Sequence, residues 1–221
     1  MTSTSDTKRP TCATCLRPQS TCICRWITPL SHAVEVLILQ HPLEAGNAKG
    51  SARLLHLSLA HSRLVTGEVF AEAALQALLT APFDAGSEPH RPKQAVLLYP
   101  DTPQDAAQGM PAPPLLAADL LRDPSQLRLI VLDGTWRKSR KMLYLNPLLQ
   151  RLPRLPLRDM PASHYLIRKA HRPDQLSTLE ATCAALMQLE HSVEAFQPLL
   201  TAFDGFVAQQ LGYDAGRSPV A

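Results

Sequence analysis

LRLIVLD, residues Leu127 to Asp133, is the segment on which the reading of this chain turns. An almost unbroken apolar run of this length, rich in branched side chains, reads as a strand covered on both faces. It ends on an acid. Gly134 follows, and Thr135 can cap a helix running from Trp136 to about Leu145. A buried strand passing through a tight turn into a helix is the repeating unit of an α/β domain.

Working outward, VEVLIL (Val34 to Leu39) has the same character and stops at Gln40-His41-Pro42, with an amphipathic helix expected around Ser51 to Ala60. AVLLYP (Ala95 to Pro100) is a strand ended by its proline, and HYLIR (His164 to Arg168) is read as a fourth. Ser177-Thr178-Leu179-Glu180 has the spacing of a capping box and opens a helix through Leu189. A last helix is expected to bury Val193, Phe196, Leu200, Phe203, Val207 and Leu211 along one stripe. Strands alternating with helices predict an α/β domain with a mostly parallel sheet. There is no internal repeat, and Pro103 to Pro114 reads as a surface loop.

The chain has 221 residues, 45% apolar and 19% charged, which suits one globular domain with a small appendage. We divide it into an N-terminal segment, residues 1–30, and a main domain, residues 31–221. No apolar run approaches the ~18 residues of a membrane span, and the N-terminus lacks the apolar stretch of a signal peptide. A cytoplasmic location is therefore expected, with no membrane contact. The 20 prolines among 221 residues, about 9% against a usual ~5%, predict long stiff connections.

The net charge of +3 conceals an uneven distribution. Between Arg128 and Arg172 lie eleven Lys or Arg, opposed only by Asp133 and Asp159, so this stretch carries +9 and the rest of the chain −6. Such a concentration is the electrostatic footprint of a polyanion partner, or else a solvated basic face.

Four of the five cysteines, Cys12, Cys15, Cys22 and Cys24, form C-x2-C-x6-C-x-C. In a cytoplasmic protein such a cluster suggests a metal site before a disulfide framework. Four thiolates complete a tetrahedral Zn²⁺ shell with no open position, which makes the site structural. Lys8, Arg9, Arg17 and Arg25 lie close enough in sequence to offset its −2 charge. Reduced thiols and an iron–sulfur cluster are the alternatives. Cys183, in an apolar helical pattern, reads as a small buried hydrophobe.

In open α/β sheets ligands gather at the carboxyl ends of strands. Three such places carry informative residues: Leu98-Tyr99-Pro100, Asp133-Gly134-Thr135-Trp136, and the turn into Leu176-Ser177-Thr178. Asp133 is either a pocket carboxylate or a helix cap. Trp136 is either a core anchor or a wall on which a planar group stacks. His41 reads as a structural or solvent histidine before a general base. No GxGxxG, P-loop or Gly-x-Ser-x-Gly occurs, which argues against dehydrogenase, NTPase and serine-hydrolase chemistry.

LDGTWRKSRKM (Leu132 to Met142) resembles the signature of the DTW-domain family, the tRNA-uridine aminocarboxypropyltransferases. The cysteine pattern, LLYP at the second strand, and Tyr165-Leu166-Ile167-Arg168 followed by LSTLEA are similar to the family as well, in the same order. One segment departs from it. After the first strand the family often carries Asn-Thr-Gly-Arg-Leu, whereas HPLEAGNAKGSARLL keeps Asn47, Gly50 and Arg53-Leu54 in a different spacing.

The resemblance implies a SPOUT-like fold with a knotted C-terminal region, an exception to the usual rule against threading. It implies transfer of the 3-amino-3-carboxypropyl group of S-adenosylmethionine to N3 of a tRNA uridine. On this reading Asp133 accepts the N3 proton or fixes the imide edge. Leu98, Tyr99, Pro100, Gly134, Thr135, Trp136, Leu176, Ser177 and Thr178 form the S-adenosylmethionine pocket. Arg137, Lys138, Arg140, Lys141, Arg168 and Lys169 meet the tRNA. No protein partner is implied. The rival readings are a SPOUT-type RNA methyltransferase, the same transfer onto ribosomal RNA, and a zinc-stabilised RNA-binding module without catalysis.

Overall fold

The computed structural model describes residues 10–83, 92–100, 102, 109–158 and 176–215. Among the described residues five strands form one sheet: β1 (Glu35–Gln40), β2 (Ser62–Thr66), β3 (Gln94–Leu98), β4 (Leu127–Asp133) and β5 (Arg154–Leu155). Their order is β2-β1-β4-β3-β5, and every pairing is parallel. The helices are α1 (Ala52–Ser58), α2 (Glu72–Thr80), α3 (Trp136–Leu145), α4 (Pro147–Gln150), α5 (Thr178–Glu190) and α6 (Gln197–Ala215).

The period of two in β1 and β4 divides their side chains between two cores. Val36, Ile38, Leu129 and Val131 face α1, α5 and α6, packing on Leu55, Leu186 and Phe203. Leu37, Leu39, Ile130 and Leu132 face α2, α3 and α4, packing on Leu75, Leu79, Met142, Leu143 and Leu149. All seven residues of β4 are buried, as expected of the central strand in a three-layer sandwich.

β1 and β4 lie side by side with Gln40 opposite Asp133, and the backbone N–H of His41 donates to the Asp133 carbonyl at 2.9 Å. The helix that follows β1 packs on one face of the sheet and the helix that follows β4 on the other. The chain therefore diverges above the ends of these two strands, which is the arrangement that opens a ligand crevice.

Several expectations need adjustment. The first strand and the one before Pro100 are each shifted by about a residue, and the helix expected over 51–60 is α1. The β2 edge strand, α2 and the two-residue β5 were not foreseen. The strand expected at 164–168 and residues 103–108 of the expected loop lie outside the described residues; 109–114 form irregular backbone. The stripe on the last helix is corrected. Val193 precedes α6 and is 65% exposed, and Leu211 is on the surface, because the buried face runs instead through Leu199, Phe203, Phe206, Val207 and Gln210. Cys183 is buried in α5 as expected, and burial pushes its thiol up to about 12.

Residues 10–30 share a core with the sheet, to which Cys15 and Ile23 contribute. The Trp26 indole packs against Gly205 of α6, where a Cβ would meet the ring at 2.2 Å, and its Nε1 donates to Gln209 Oε1. Gln209 Nε2 donates to the Cys22 carbonyl, and the Tyr213 hydroxyl donates to Ser20 O at 2.7 Å.

Candidate functional site

Asp133 ends β4 on the α5 side of the sheet and is 5% exposed. Thr178, the first residue of α5, donates its hydroxyl to Asp133 Oδ1 at 2.6 Å, and Gln40 donates Nε2 to Oδ2 at 2.9 Å. These two bonds fix the orientation of the carboxylate from β1 on one side and α5 on the other. Asp133 is not the helix cap. That role belongs to Thr135, whose Oγ1 accepts from Lys138 N, so α3 begins beside the carboxylate. Gly134 makes the turn between them tight: a Cβ there would lie 3.1 Å from that of Lys138. The carboxylate thus sits by the amino-terminal ends of α3 and α5, which favour negative charge.

The three expected loops converge here. Trp136 in the first turn of α3 stacks on Tyr99 after β3, with ring centroids 5.1 Å apart at 20°. Tyr99 is buried, whereas Trp136 is 49% exposed, so the indole is not a core anchor. Beneath this pair the Arg154 guanidinium lies 5.1 Å from the Tyr99 centroid and donates to Thr102 Oγ1. Leu98 and Leu176 are half-buried and Pro100 is exposed. Ser177 is committed to the expected capping box: its Oγ accepts from Glu180 N, and its own N–H donates to Glu180 Oε2 at 2.7 Å.

The cations of α3 divide. Arg137 and Lys141 are exposed, while Lys138 and Arg140 are half-buried. Lys138 pairs with Glu44 at 2.8 Å, and Lys141 pairs with Glu68 at 3.0 Å. Glu68 also accepts from His41 Nε2 at 2.9 Å, and that bond, reinforced by Lys141, holds its carboxyl below the ordinary value of 4.5. Since His41 Nδ1 accepts from Leu43 N, the ring proton is on Nε2 and the histidine has the structural role expected of it. Arg168 and Lys169 lie outside the described residues. Arg128, counted above in the basic stretch, is fully buried and belongs to the interior. Sequence reasoning missed Gln40, Glu44 and Glu68; Gln40 had one usable signal, its place at the end of a buried strand.

The four N-terminal cysteines stand apart as a second site. Their sulfurs all lie within 4.8 Å of one another, with Cys12 and Cys24 3.5 Å apart and Cys15 and Cys22 3.8 Å apart. These separations are too long for disulfides and close to the ~3.8 Å edge of a tetrahedron with Zn–S bonds of ~2.3 Å. Backbone N–H groups of Cys15 and Thr14 pull the Cys12 thiol down to about 6, whereas burial pushes that of Cys24 up to about 12. The donor set therefore suits a thiophilic cation, whose charge would draw the remaining protons off. Arg17, inside this knuckle, donates to the carbonyls of Ala48 and Gly50, and Arg53 of α1 donates to Thr14 O.

Among known proteins, the family model described as the DTW domain matches residues 9–211. A mouse (Mus musculus) protein named tRNA-uridine aminocarboxypropyltransferase 2 is 29% identical over 212 residues, covering 94% of this chain and 66% of its own. Its Drosophila melanogaster namesake is 30% identical over 212 residues, covering 92% and 76%. An Arabidopsis thaliana protein named tRNA-uridine aminocarboxypropyltransferase A is 27% identical over 141 residues, covering 62% and 51%. The chain thus spans just under two thirds of the length of the mouse relative. No solved structure matches. With the match running from the cysteine knuckle into α6, the chain belongs to the DTW domain family.

Proposed function

We propose that this protein transfers the 3-amino-3-carboxypropyl group of S-adenosylmethionine to N3 of a uridine in tRNA, releasing methylthioadenosine. The observation that carries the reading is the buried Asp133 carboxylate, held by Gln40 on one oxygen and Thr178 on the other at the carboxyl ends of β1 and β4. The family membership and the names of the relatives support it.

S-adenosylmethionine supplies an activated carbon, since the sulfonium is already a good leaving group, so the enzyme needs no nucleophile of its own. Its task is orientation and proton removal. Asp133 takes the N3 proton; the N3 lone pair forms the bond to Cγ as the Cγ–S bond breaks, its electron pair remaining on sulfur. Tyr99, Gly134, Thr135 and Thr178, with Leu98, Pro100, Leu176 and Ser177 around them, line the donor pocket. The Tyr99 ring, the Thr178 hydroxyl and the Asp133 carboxylate are groups whose chemistry suits a donor that carries an adenine ring and a positive charge. Trp136 replaces the stacking that a flipped-out uridine loses. Arg137 holds phosphates, joined by Arg140, Lys138 and Lys141 on release from their present partners.

The same reading places Zn²⁺ on Cys12, Cys15, Cys22 and Cys24 as a structural ion. It gives the C-terminal region a SPOUT-like knot, divides the chain near residue 30, and locates the protein in the cytoplasm. No helix among the described residues is long and apolar enough to cross a membrane.

The test is incubation with unmodified tRNA and S-adenosylmethionine, followed by nucleoside mass spectrometry. A uridine heavier by an aminocarboxypropyl group supports the proposal. A uridine heavier by a methyl group replaces it with methyl transfer, and salt-sensitive tRNA binding without modification replaces it with a binding module.

A further inference from the structure

Gln40 stands at the carboxyl end of β1, directly opposite Asp133 in the sheet register, and is 6% exposed. Its amide orientation follows from chemistry. An ionised carboxylate only accepts hydrogen bonds, so the NH₂ end faces Asp133, 2.9 Å from Oδ2. That nitrogen carries two protons, and one is used on Asp133. Among the described residues the side chain makes no other hydrogen bond. Leaving a buried N–H without a partner costs ~1–3 kcal/mol, so a group that supplies one is favoured there.

Resting on the uridine-modifying reading above, we propose that the second N–H of Gln40 binds the carbonyl oxygen next to N3 of the target base, making Gln40 a specificity-determining and catalytic residue. Side by side, Asp133 presents an acceptor and Gln40 a donor. The imide edge of uracil presents the complement, an N3–H beside a carbonyl. Cytosine carries a lone pair at N3 and so sets acceptor against acceptor, which a site built for an N–H rejects strongly.

The same contact acts on rate. As the N3 proton passes to Asp133, the charge left on the base spreads to O2 and O4. A preorganised N–H on one of those oxygens strengthens as that charge develops. Its effect therefore falls on kcat more than on KM for tRNA.

The experiment is single-turnover and steady-state kinetics with wild type, Gln40→Ala and the near-isosteric Gln40→Met, with melting curves to select the variants that fold. Two tRNA transcripts are used, one made with uridine and one with 5-fluorouridine, whose N3 is more acidic. The expected result is a ~100-fold loss of kcat on uridine, with KM within about threefold of wild type, shrinking to about tenfold or less on 5-fluorouridine. A kcat within about twofold of wild type, or the same loss on both transcripts, overturns the proposal while leaving the wild-type reaction in place. If wild type itself modifies no uridine, the functional reading falls and this inference with it.

Discussion

Strand β4 buries a charged side chain at each end, Arg128 where it enters the sheet and Asp133 where it leaves. Arg128 has no exposed surface. It donates to Glu35 at 2.8 Å and to the carbonyls of Leu78 and Ala81 at 2.6 and 2.7 Å, and its guanidinium lies 4.2 Å from the Phe83 ring centroid. Those carbonyls close the carboxyl end of α2, so the cation caps a helix as well as pairing with an acid. At the other end, Asp133 meets a hydroxyl, an amide and two helix starts. In a parallel sheet the two ends are not equivalent. One meets helix carboxyl ends and can be sealed by a cation; the other meets helix starts, favours an anion and opens into a crevice.

The largest stability effect we predict concerns the sealed end. Arg128→Met leaves Glu35, among the described residues, with Lys93 alone at 3.6 Å, and should cost ~3–5 kcal/mol in urea unfolding while leaving transfer by the folded fraction unchanged. The double variant with Glu35→Leu should recover most of that loss. Loss of activity in folded Arg128→Met would break the contrast between the two ends.

A smaller effect is expected at the cysteine knuckle, which docks on α6 and on the loop before α1. On the proposed Zn²⁺ reading, treatment with a chelator under reducing conditions should lower the melting temperature by about 5 °C or more, equivalent to ~2 kcal/mol. The change should appear in the fluorescence of Trp26, which is held between Gly205 and Gln209. An unchanged melt would contradict the proposed structural Zn²⁺.

The smallest effect is in acid. Burial pulls the pKa of His32 below 6.5. Its Nδ1 donates to Val34 O and its Nε2 accepts from His61 N, so the neutral ring is the one that fits. Protons then bind the unfolded chain first. The contribution is complete above pH 6.5 and declines as the pH falls below it. His32→Gln should flatten the slope of melting temperature between pH 6.5 and 5.5, and an unaltered slope would contradict this.

The contrast along β4 also shows how much was legible in the sequence. LRLIVLD announced itself because both faces are covered, and the capping box at Ser177 because its chemistry is local. β2 stayed hidden because SRLVT is a half-exposed edge strand, and α2 because it buries only Leu75 and Leu79. Arg128 looked like surface charge because its partner acid is 93 residues away. Gln40 was invisible as a neighbour of Asp133 for the same reason: only strand register joins them, across another 93 residues. The three loops at the strand ends were legible because parallel sheets place ligands there whatever the loops contain.

The central claim is that the carboxylate at the open end serves chemistry and not the fold. Asp133→Asn tests it directly, through aminocarboxypropyl transfer to tRNA and thermal unfolding measured on the same preparation. We predict a loss of transfer of ~10³-fold or more with a melting temperature close to wild type. Transfer within about tenfold of wild type, or a loss explained by unfolding, would contradict the account.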